Sequence, residues 1–215
     1  MRKTLLSLAA AAGVATLGVG ALYAQPGPPA PALNPAAATS GTYTTDAAHS
    51  MVGFEVNHLG FNDYYGMFGD VAATLTLDTA DITKSTLDAT IPIASVTVPS
   101  AGLHDHLLRA GRDGGAPDFF GPTPTAAHFV STMVHSTGPT TAHIMGDLTL
   151  NGVTKPVTIQ AELVGMGTNG MSRKETLGFH GTTTIKRSEW NMGFGVPFGI
   201  GDDVDLNISV AFEKQ

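Results

Sequence analysis

Apolar and polar residues alternate along most of the chain after residue 40, and a period of two predicts β-strands. The clearest run lies near the C-terminus, where polar residues separate five apolar ones: Val204, Leu206, Ile208, Val210 and Phe212. Residues of one parity share a face, so such a strand has one dry face and one wet face. Similar alternation occurs near residues 42–46, 51–58, 71–77, 87–93, 129–133, 142–150, 157–163 and 177–185. The chain is therefore predicted to form about eight to nine strands.

Short turn signals connect these strands into an antiparallel meander. Asn151-Gly152 separates two alternating runs, and it is a strong hairpin signal because both residues tolerate a positive φ. Phe68 has the wrong parity for the run at residues 71–77. We therefore expect a bulge near Gly69-Asp70 that turns the strand at a corner.

Two segments depart from the alternation. Residues 99–111 place leucines at helical spacing behind Ser100, a residue type that caps helix N-termini. A second helical turn is expected near residues 187–193. The prediction is an all-β fold with one or two short helices.

A single sheet of this length would leave its dry face and its edges open, and closure into an antiparallel eight-stranded barrel removes both problems. The interior of such a barrel is either filled by side chains or holds one ligand. Small residues recur at inward positions, which favours a cavity: Ala73, Ala89, Ala142, Gly146, Ala161, Gly181 and Thr183. The alternative is a sandwich in which large facing side chains fill these gaps.

The first 40 residues lie outside the predicted barrel. Residues 1–24 combine Arg2 and Lys3, an apolar run and Ala24, an order typical of a secretory signal peptide. An uncleaved membrane anchor is the alternative, because the run is almost long enough to span a bilayer. Residues 25–40 are rich in proline and alanine and predict an extended linker. The folded domain is expected over residues 41–215.

Charge and cysteine content exclude several classes of function. Removing residues 1–24 leaves nine basic and eighteen acidic side chains, a net charge of −9. An acidic chain lacks the positive surface of a nucleic-acid binder, so no nucleic-acid partner is expected. The chain has no cysteine, which excludes disulfides, thiolate metal sites and cysteine nucleophiles. A secreted domain without disulfides depends on its own core.

The histidines do not form a catalytic or metal-binding group. His49 and His58 lie at opposite ends of one predicted strand and have opposite parity, so they cannot bind one metal ion. His104 and His106 diverge on the predicted helix and have no third ligand at an obvious spacing. The sequence also lacks a serine-hydrolase elbow and a phosphate-binding loop. We expect no metal ion and no catalytic residue.

Two polar residues remain candidates near a cavity. His58 has inward parity, and it either contacts a ligand head group or is hydrogen-bonded by nearby backbone. Arg187 follows a predicted strand, where an inward guanidinium needs an acceptor. We expect a barrel-closing ion pair with an acid such as Asp46, and a contact to a ligand head group is the alternative.

Ordered motifs from Tyr43 to Lys214 resemble the YceI-like polyisoprenoid-binding family. The motifs that carry the resemblance are "YTTDAAHSMVGFEVNHLGF", "GMFGDVAATLTLD", "IPIASVTV", "HDHLL", "DFF", "GDLTLNGVTKPVTI", "IKRSEW" and "GDDVDLNISVAFEK". Two features depart from the family's pattern: residues 109–129 are longer and richer in glycine, and Trp190 stands in "RSEW". The resemblance implies a periplasmic, lipocalin-like antiparallel barrel whose interior holds one isoprenoid chain.

The resemblance and the inward parity together give the expected ligand-binding residues. They are Phe54, Val56, His58, Phe68, Leu75, Ile91, Leu107, Phe120, Phe129, Met133, Ile144, Leu148, Ile159, Phe179, Trp190 and Met192. The expected ligand is an isoprenoid lipid or quinone, with no further cofactor. Transient membrane contact during ligand exchange and a homodimer are left open. The alternatives are a barrel enzyme that acts on an isoprenoid lipid and a structural stress protein with a filled core.

Overall fold

The computed structural model describes residues 33–215. The predicted signal peptide and residues 25–32 of the predicted linker lie outside the described residues. Within the described part of the chain, no helix is both long enough and apolar enough to cross a bilayer.

Over residues 33–215, the fold consists of ten strands, one short α-helix and several 3₁₀ turns. The strands are β1 (Gly41–Thr45), β2 (Met51–His58), β3 (Asn62–Phe68), β4 (Ala72–Leu77), β5 (Thr86–Ile91), β6 (Ala127–Ser136), β7 (Thr141–Leu150), β8 (Val153–Thr168), β9 (Glu175–Lys186) and β10 (Ile200–Lys214). Helix α1 spans Ala101–Leu108, and the side chain of Ser100 accepts a hydrogen bond from the Leu103 amide at its start. The predicted second helical turn is a 3₁₀ turn at Arg187–Trp190.

The ten strands close into an eight-stranded antiparallel barrel. The order β1-β4-β5-β6-β7-β8-β9-β10 returns to β1, because the last residues of β10 pair with β1. The β2–β3 hairpin attaches to the first part of β10. Strand β10 pairs with β2 and then with β1, so β1 and β2 share one position of the barrel. Strand β3 pairs with β2 and β4 pairs with β1, so β3 and β4 share the next position. The predicted eight-stranded barrel is confirmed, with two of its eight positions each divided into two strands.

The expected corner and hairpin both occur. Strand β3 ends at Phe68 and β4 begins at Ala72, and Asp70 between them has a φ of 54°. Asn151 and Gly152 have φ values of 49° and 78° and join β7 to β8. Positive φ at both central residues matches the twist of the flanking strands, which is why this dipeptide forms the turn.

A second bulge changes the direction of one side chain that the sequence pattern assigns to the interior. The pairing of β6 with β7 shifts between Ser131 and Met133. After the shift, Val134 is buried, while Met133 is 56 % exposed. The prediction that Met133 points into the barrel is therefore wrong, because one extra residue reverses the parity of the strand.

One end of the barrel, here called the filled end, holds its own cluster of buried side chains. Its buried side chains are Tyr43, Ala73, Leu163, Leu177 and Phe212. The ring of Phe179 packs edge-to-face on that of Phe212, with centroids 6.1 Å apart. The chain that enters the barrel covers this end: the Tyr43 hydroxyl donates to the Thr39 carbonyl at 2.6 Å, and the Thr39 amide donates to Glu175 at 3.0 Å.

Several small inward residues are covered by large neighbours and do not border empty space. A Cβ added to Gly146 would lie 2.5 Å from the Phe129 ring, and one added to Gly66 would lie 2.3 Å from the Phe54 ring. A Cβ on Gly181 would meet Ile159 and Ile208. The small residues thus make room for aromatic and branched side chains. The number of small inward residues was expected to indicate a cavity, but these contacts show that it does not do so by itself.

Candidate ligand-binding site

The other end of the barrel encloses a cavity of about 610 Å³. Inward residues of β2, β6, β7, β8, β9 and β10 contribute to its wall, together with helix α1 and residues 119–120. Its mouth is formed by His58, Tyr64, Ser100 and Phe194, and three of these four residues are exposed. The wall is almost entirely apolar, so the cavity suits a hydrocarbon ligand.

Eleven of the sixteen side chains predicted to bind ligand line this cavity. They are Phe54, Val56, His58, Phe68, Ile91, Leu107, Phe120, Phe129, Leu148, Ile159 and Met192. Strand parity places the residues of β2, β6, β7 and β8 among them, and Leu107 points inward from the helix, one turn after Leu103.

The other five lie elsewhere. Leu75 and Phe179 have inward parity, but they pack in the filled end. Ile144 packs against the core around the cavity without lining it. Trp190 is buried in the core around the cavity without lining it, and its indole N–H donates to the Leu148 carbonyl at 3.4 Å. Met133 faces outward because of the bulge in β6.

Three phenylalanine rings form a continuous aromatic side of the cavity. The ring centroids of Phe54 and Phe68 are 5.5 Å apart, and those of Phe68 and Phe120 are 6.0 Å apart with the planes nearly perpendicular. The Phe120 amide donates to the Leu107 carbonyl at 3.0 Å, which fixes the loop after the helix against the wall. Tilted and edge-to-face contacts between aromatic rings hold the rings in defined positions.

A charged cluster beside the mouth holds a second aromatic group. Asp118 accepts hydrogen bonds from Arg109 at 2.9 Å and from the His106 ring at 2.8 Å. The His106 ring packs edge-to-face on Phe119 and Phe194, with centroids 5.1 and 4.7 Å away. The hydrogen bond from Arg109, followed by that from His106, lowers the pKa of Asp118 below its ordinary value.

Arg187 is buried, and its partners are backbone carbonyls. Its guanidinium donates to the carbonyls of Gly201 at 2.7 Å, Phe194 at 2.8 Å, Ile200 at 3.2 Å and Met192. Burial lowers the pKa of Arg187 from its ordinary value. Four of its five N–H groups are used in this way, so the arginine ties the 192–201 loop to the end of β9.

The predicted ion pair between Arg187 and Asp46 is wrong. Asp46 instead accepts a hydrogen bond from His49 at 2.7 Å, in the turn between β1 and β2. Asp202, whose charge acts on Arg187, instead accepts hydrogen bonds from the amide and the hydroxyl of Ser188 at 2.9 and 2.8 Å. Sequence parity identified the inward arginine, but it could not show that backbone carbonyls replace the carboxylate.

Hydroxyl groups at the mouth retain hydrogen-bonding capacity. The Tyr64 hydroxyl accepts from the Ser100 amide at 3.1 Å, and the Ser100 hydroxyl accepts from the Leu103 amide at 3.3 Å. Among residues 33–215, neither hydroxyl has a hydrogen-bond acceptor for its own proton. The His58 side chain likewise has no partner within this described part of the chain, so the backbone contact considered for it is not formed. These donors face the mouth of the cavity.

The lining residues that sequence reasoning missed lie mainly outside the strands. His106 was considered only as a metal ligand, whereas it packs at the mouth between Phe119 and Phe194. Phe194 belongs to a loop with no apolar period, so no pattern marked it. The "DFF" motif was the available signal for Phe119, which precedes the predicted Phe120.

Comparison with known proteins identifies the family of this chain. The model of the YceI-like domain matches residues 43–212, most of the described barrel. The chain belongs to the YceI-like family. Among relatives of this YceI-like chain, the UPF0312 protein of Ectopseudomonas mendocina is 39 % identical over 145 residues, which cover 67 % of this chain and 72 % of that protein. Protein YceI of Shigella flexneri is 36 % identical over 171 residues, 79 % of this chain and 84 % of its own.

Solved structures share the fold of this YceI-like chain. The YCEI protein of Campylobacter jejuni superposes with a TM-score of 0.60 at 29 % identity, covering 74 % of this chain and 90 % of its own. BcnA of Burkholderia cenocepacia gives a TM-score of 0.62 at 24 % identity, with 78 % and 98 % covered. A polyisoprenoid binding domain from Saccharophagus degradans gives 0.55 at 14 % identity, with 80 % and 98 % covered, a likeness of fold alone.

Proposed function

We propose that this protein binds the prenyl chain of an isoprenoid lipid in the cavity and carries it without chemical change. The observation that carries the proposal is a cavity of about 610 Å³ with an apolar wall at one end of the barrel. Membership of the YceI-like family and the likeness to a polyisoprenoid binding domain support the ligand class.

Apolar burial alone provides a sufficient driving force for capture. Each Å² of prenyl surface removed from water contributes about 25 cal/mol. Ordering the chain and losing its free tumbling oppose much of this gain, so binding is strong but reversible. Hydrogen bonds at the mouth then set the position of the head group more than the affinity.

The charges around the cavity favour a neutral head group. Among the described residues that line it, Arg187 is the one arginine or lysine, and backbone carbonyls occupy four of its N–H groups. Arg109, beside the mouth, is paired with Asp118 at 2.9 Å. An anionic lipid would therefore find little positive charge, whereas the Tyr64 and Ser100 hydroxyls can donate to a quinone carbonyl or a prenol oxygen.

The proposal includes a periplasmic location for the protein. Residues 1–24 have the order of a secretory signal, which supports export to the periplasm. A carrier in that compartment would shield the prenyl chain from water between one membrane contact and the next.

The test uses a variant that fills the cavity without removing wall contacts. Thr183 lines the cavity, so Thr183→Phe places a ring inside, whereas Thr182→Phe places the same ring on the outer face. Protein is purified from the native host, extracted with organic solvent and examined by mass spectrometry. We expect a neutral prenyl lipid with the parent chain and with Thr182→Phe, and at least tenfold less with Thr183→Phe. Empty extracts from the parent, or equal lipid in all three, would overturn the proposal.

A further inference from the structure

Apolar side chains protrude from two loops next to the cavity mouth. Phe61, in the β2–β3 turn, is 87 % exposed, and Phe198, in the loop before β10, is 79 % exposed. Leu59 is also exposed. These three residues are called the rim patch below. Exposed apolar clusters beside a binding site mark surfaces that contact another apolar body.

Backbone hydrogen bonds hold the two loops together. The Leu59 amide donates to the Gly199 carbonyl at 3.1 Å, and His58 pairs with Ile200 at the start of β10. Each loop is also fixed internally, since the Phe61 amide donates to the His58 carbonyl at 3.2 Å and the Phe198 amide to the Gly195 carbonyl at 3.0 Å. The rim patch is therefore presented by a firm platform.

The platform is continuous with the cavity. His58 and Ile200 line the cavity, and each lies within two residues of a rim-patch residue along the chain. A body that covers the rim patch thus meets the mouth as well.

The platform carries almost no charge, although the whole chain has a net charge of −7. Residues 56–62 and 190–201 contain no aspartate, glutamate, lysine or arginine, and His58 is their one titratable side chain. Acids adjoin both segments at their ends: Glu55 and Asp63 flank the first, and Glu189 and Asp202 flank the second. Asp63 accepts a hydrogen bond from Asn57 at 3.0 Å, and Asp202 accepts one from the Ser188 hydroxyl at 2.8 Å. An uncharged apolar tip on an acidic protein can enter a lipid layer without removing ions from water.

We propose that the rim patch inserts into the surface of a lipid bilayer and sets the cavity mouth against the hydrocarbon. This inference rests on the proposed function, because a prenyl chain then passes between bilayer and cavity without crossing water. A protein partner fits less well, since protein interfaces surround an apolar centre with a polar rim and many hydrogen bonds. A second copy fits less well for the same reason.

The experiment compares the parent chain with Phe61→Ser/Phe198→Ser and with Met171→Ser. Met171 is 95 % exposed and lies between β8 and β9 next to the filled end, so it is a matched apolar control far from the mouth. All chains come from the same host with the same processing, so any effect of the N-terminal segment is common to them. Flotation with vesicles of phosphatidylcholine alone is measured at low and high salt.

We expect the double variant to float at least tenfold less than the parent and Met171→Ser to match the parent. High salt should leave the binding unchanged, because insertion of uncharged side chains is not screened. Equal flotation of parent and double variant would overturn the inference, and so would an equal loss with Met171→Ser. A loss of dimers in sedimentation velocity without a loss of flotation would also overturn it, by assigning the patch to self-association.

Extraction of the same proteins separates this inference from the proposed function. Neither Phe61 nor Phe198 lines the cavity, so the double variant should retain the prenyl lipid content of the parent. Lipid in both proteins with unchanged flotation would contradict the docking surface alone. Absence of lipid from both would contradict the proposed function.

Discussion

The filled end and the cavity end of this barrel are built from the same strands. Along β10, Val210 and Phe212 pack in the filled end, whereas Val204 and Leu206 face the cavity. Along β9, Leu177 likewise packs in the filled end. The inward face is continuous, and only its surroundings change from one end to the other.

The surroundings differ in what closes each end. Tyr43 on the short strand β1 is fully buried, and the entering chain hydrogen-bonds across the filled end. At the other end, the β2–β3 hairpin and helix α1 form walls around space that no side chain fills. Alternation along a strand thus shows which side chains point inward, and the elements at each end decide whether the interior is filled.

The largest difference in unfolding free energy between the two ends should come from replacing one leucine by alanine at each end. Leu177→Ala creates a cavity in packed surroundings and should lower the free energy of unfolding by about 4 kcal/mol. Leu206→Ala enlarges an existing cavity and should lower the free energy of unfolding of the lipid-free protein by about 1 kcal/mol. Urea denaturation measures both. Equal losses would show that the two ends do not differ in packing.

Removing the buried arginine tests how the cavity end is held. Arg187→Met leaves the carbonyls of Gly201, Phe194 and Ile200 without this donor, so we expect a loss of about 3 kcal/mol in unfolding free energy. Hydrogen exchange should show the 192–201 loop loosened while β9 near Leu177 keeps its protection. A loss spread evenly over the barrel would contradict this local role.

Acid should weaken the Asp118 cluster beside the mouth. Because the pKa of Asp118 is lowered in the folded protein, its hydrogen bonds stabilise the fold at neutral pH, and the stabilisation is lost as the pH falls through that lowered value. Asp118→Asn should therefore be less stable than the parent at pH 7, by a small amount, and the difference should vanish in strong acid. Urea midpoints against pH test this, and a constant difference at all pH values would contradict it.

The smallest change in stability is expected at Met133, the exposed residue that follows the bulge in β6. Met133→Ser should change the free energy of unfolding by less than about 0.5 kcal/mol, because the side chain is exposed. Val134→Thr buries a hydroxyl and should lower it by about 1–2 kcal/mol. If urea denaturation showed a larger loss for Met133→Ser than for Val134→Thr, Met133 would point inward, as the sequence pattern predicted.

Alternation predicted the barrel well because closure obliges every dry face to point inward. The strands, the Asn151-Gly152 hairpin and the corner near Asp70 all follow from local residue types. Eight of the eleven predicted residues that line the cavity lie on strands, and they face it for the same reason.

The errors arise where contacts between distant segments decide the outcome. The bulge at Met133 depends on pairing with β7, and the position of Phe179 depends on Phe212 from another strand. Gly146 appeared to leave space, but the Phe129 ring covers it. His106 gained its place through Asp118 and Phe194, which single-sequence reasoning could not bring together.

The most direct test of the difference between the two ends is a photoaffinity measurement. A prenylquinone analogue with a diazirine at the distal end of its chain is bound, irradiated and mapped by residue-level mass spectrometry. The prediction is labelling of cavity residues such as Thr183, Leu206 and Ile159, with none at the filled end. Labelling of Phe179 or Phe212 would contradict the account, because the chain would then pass through an end that should be closed.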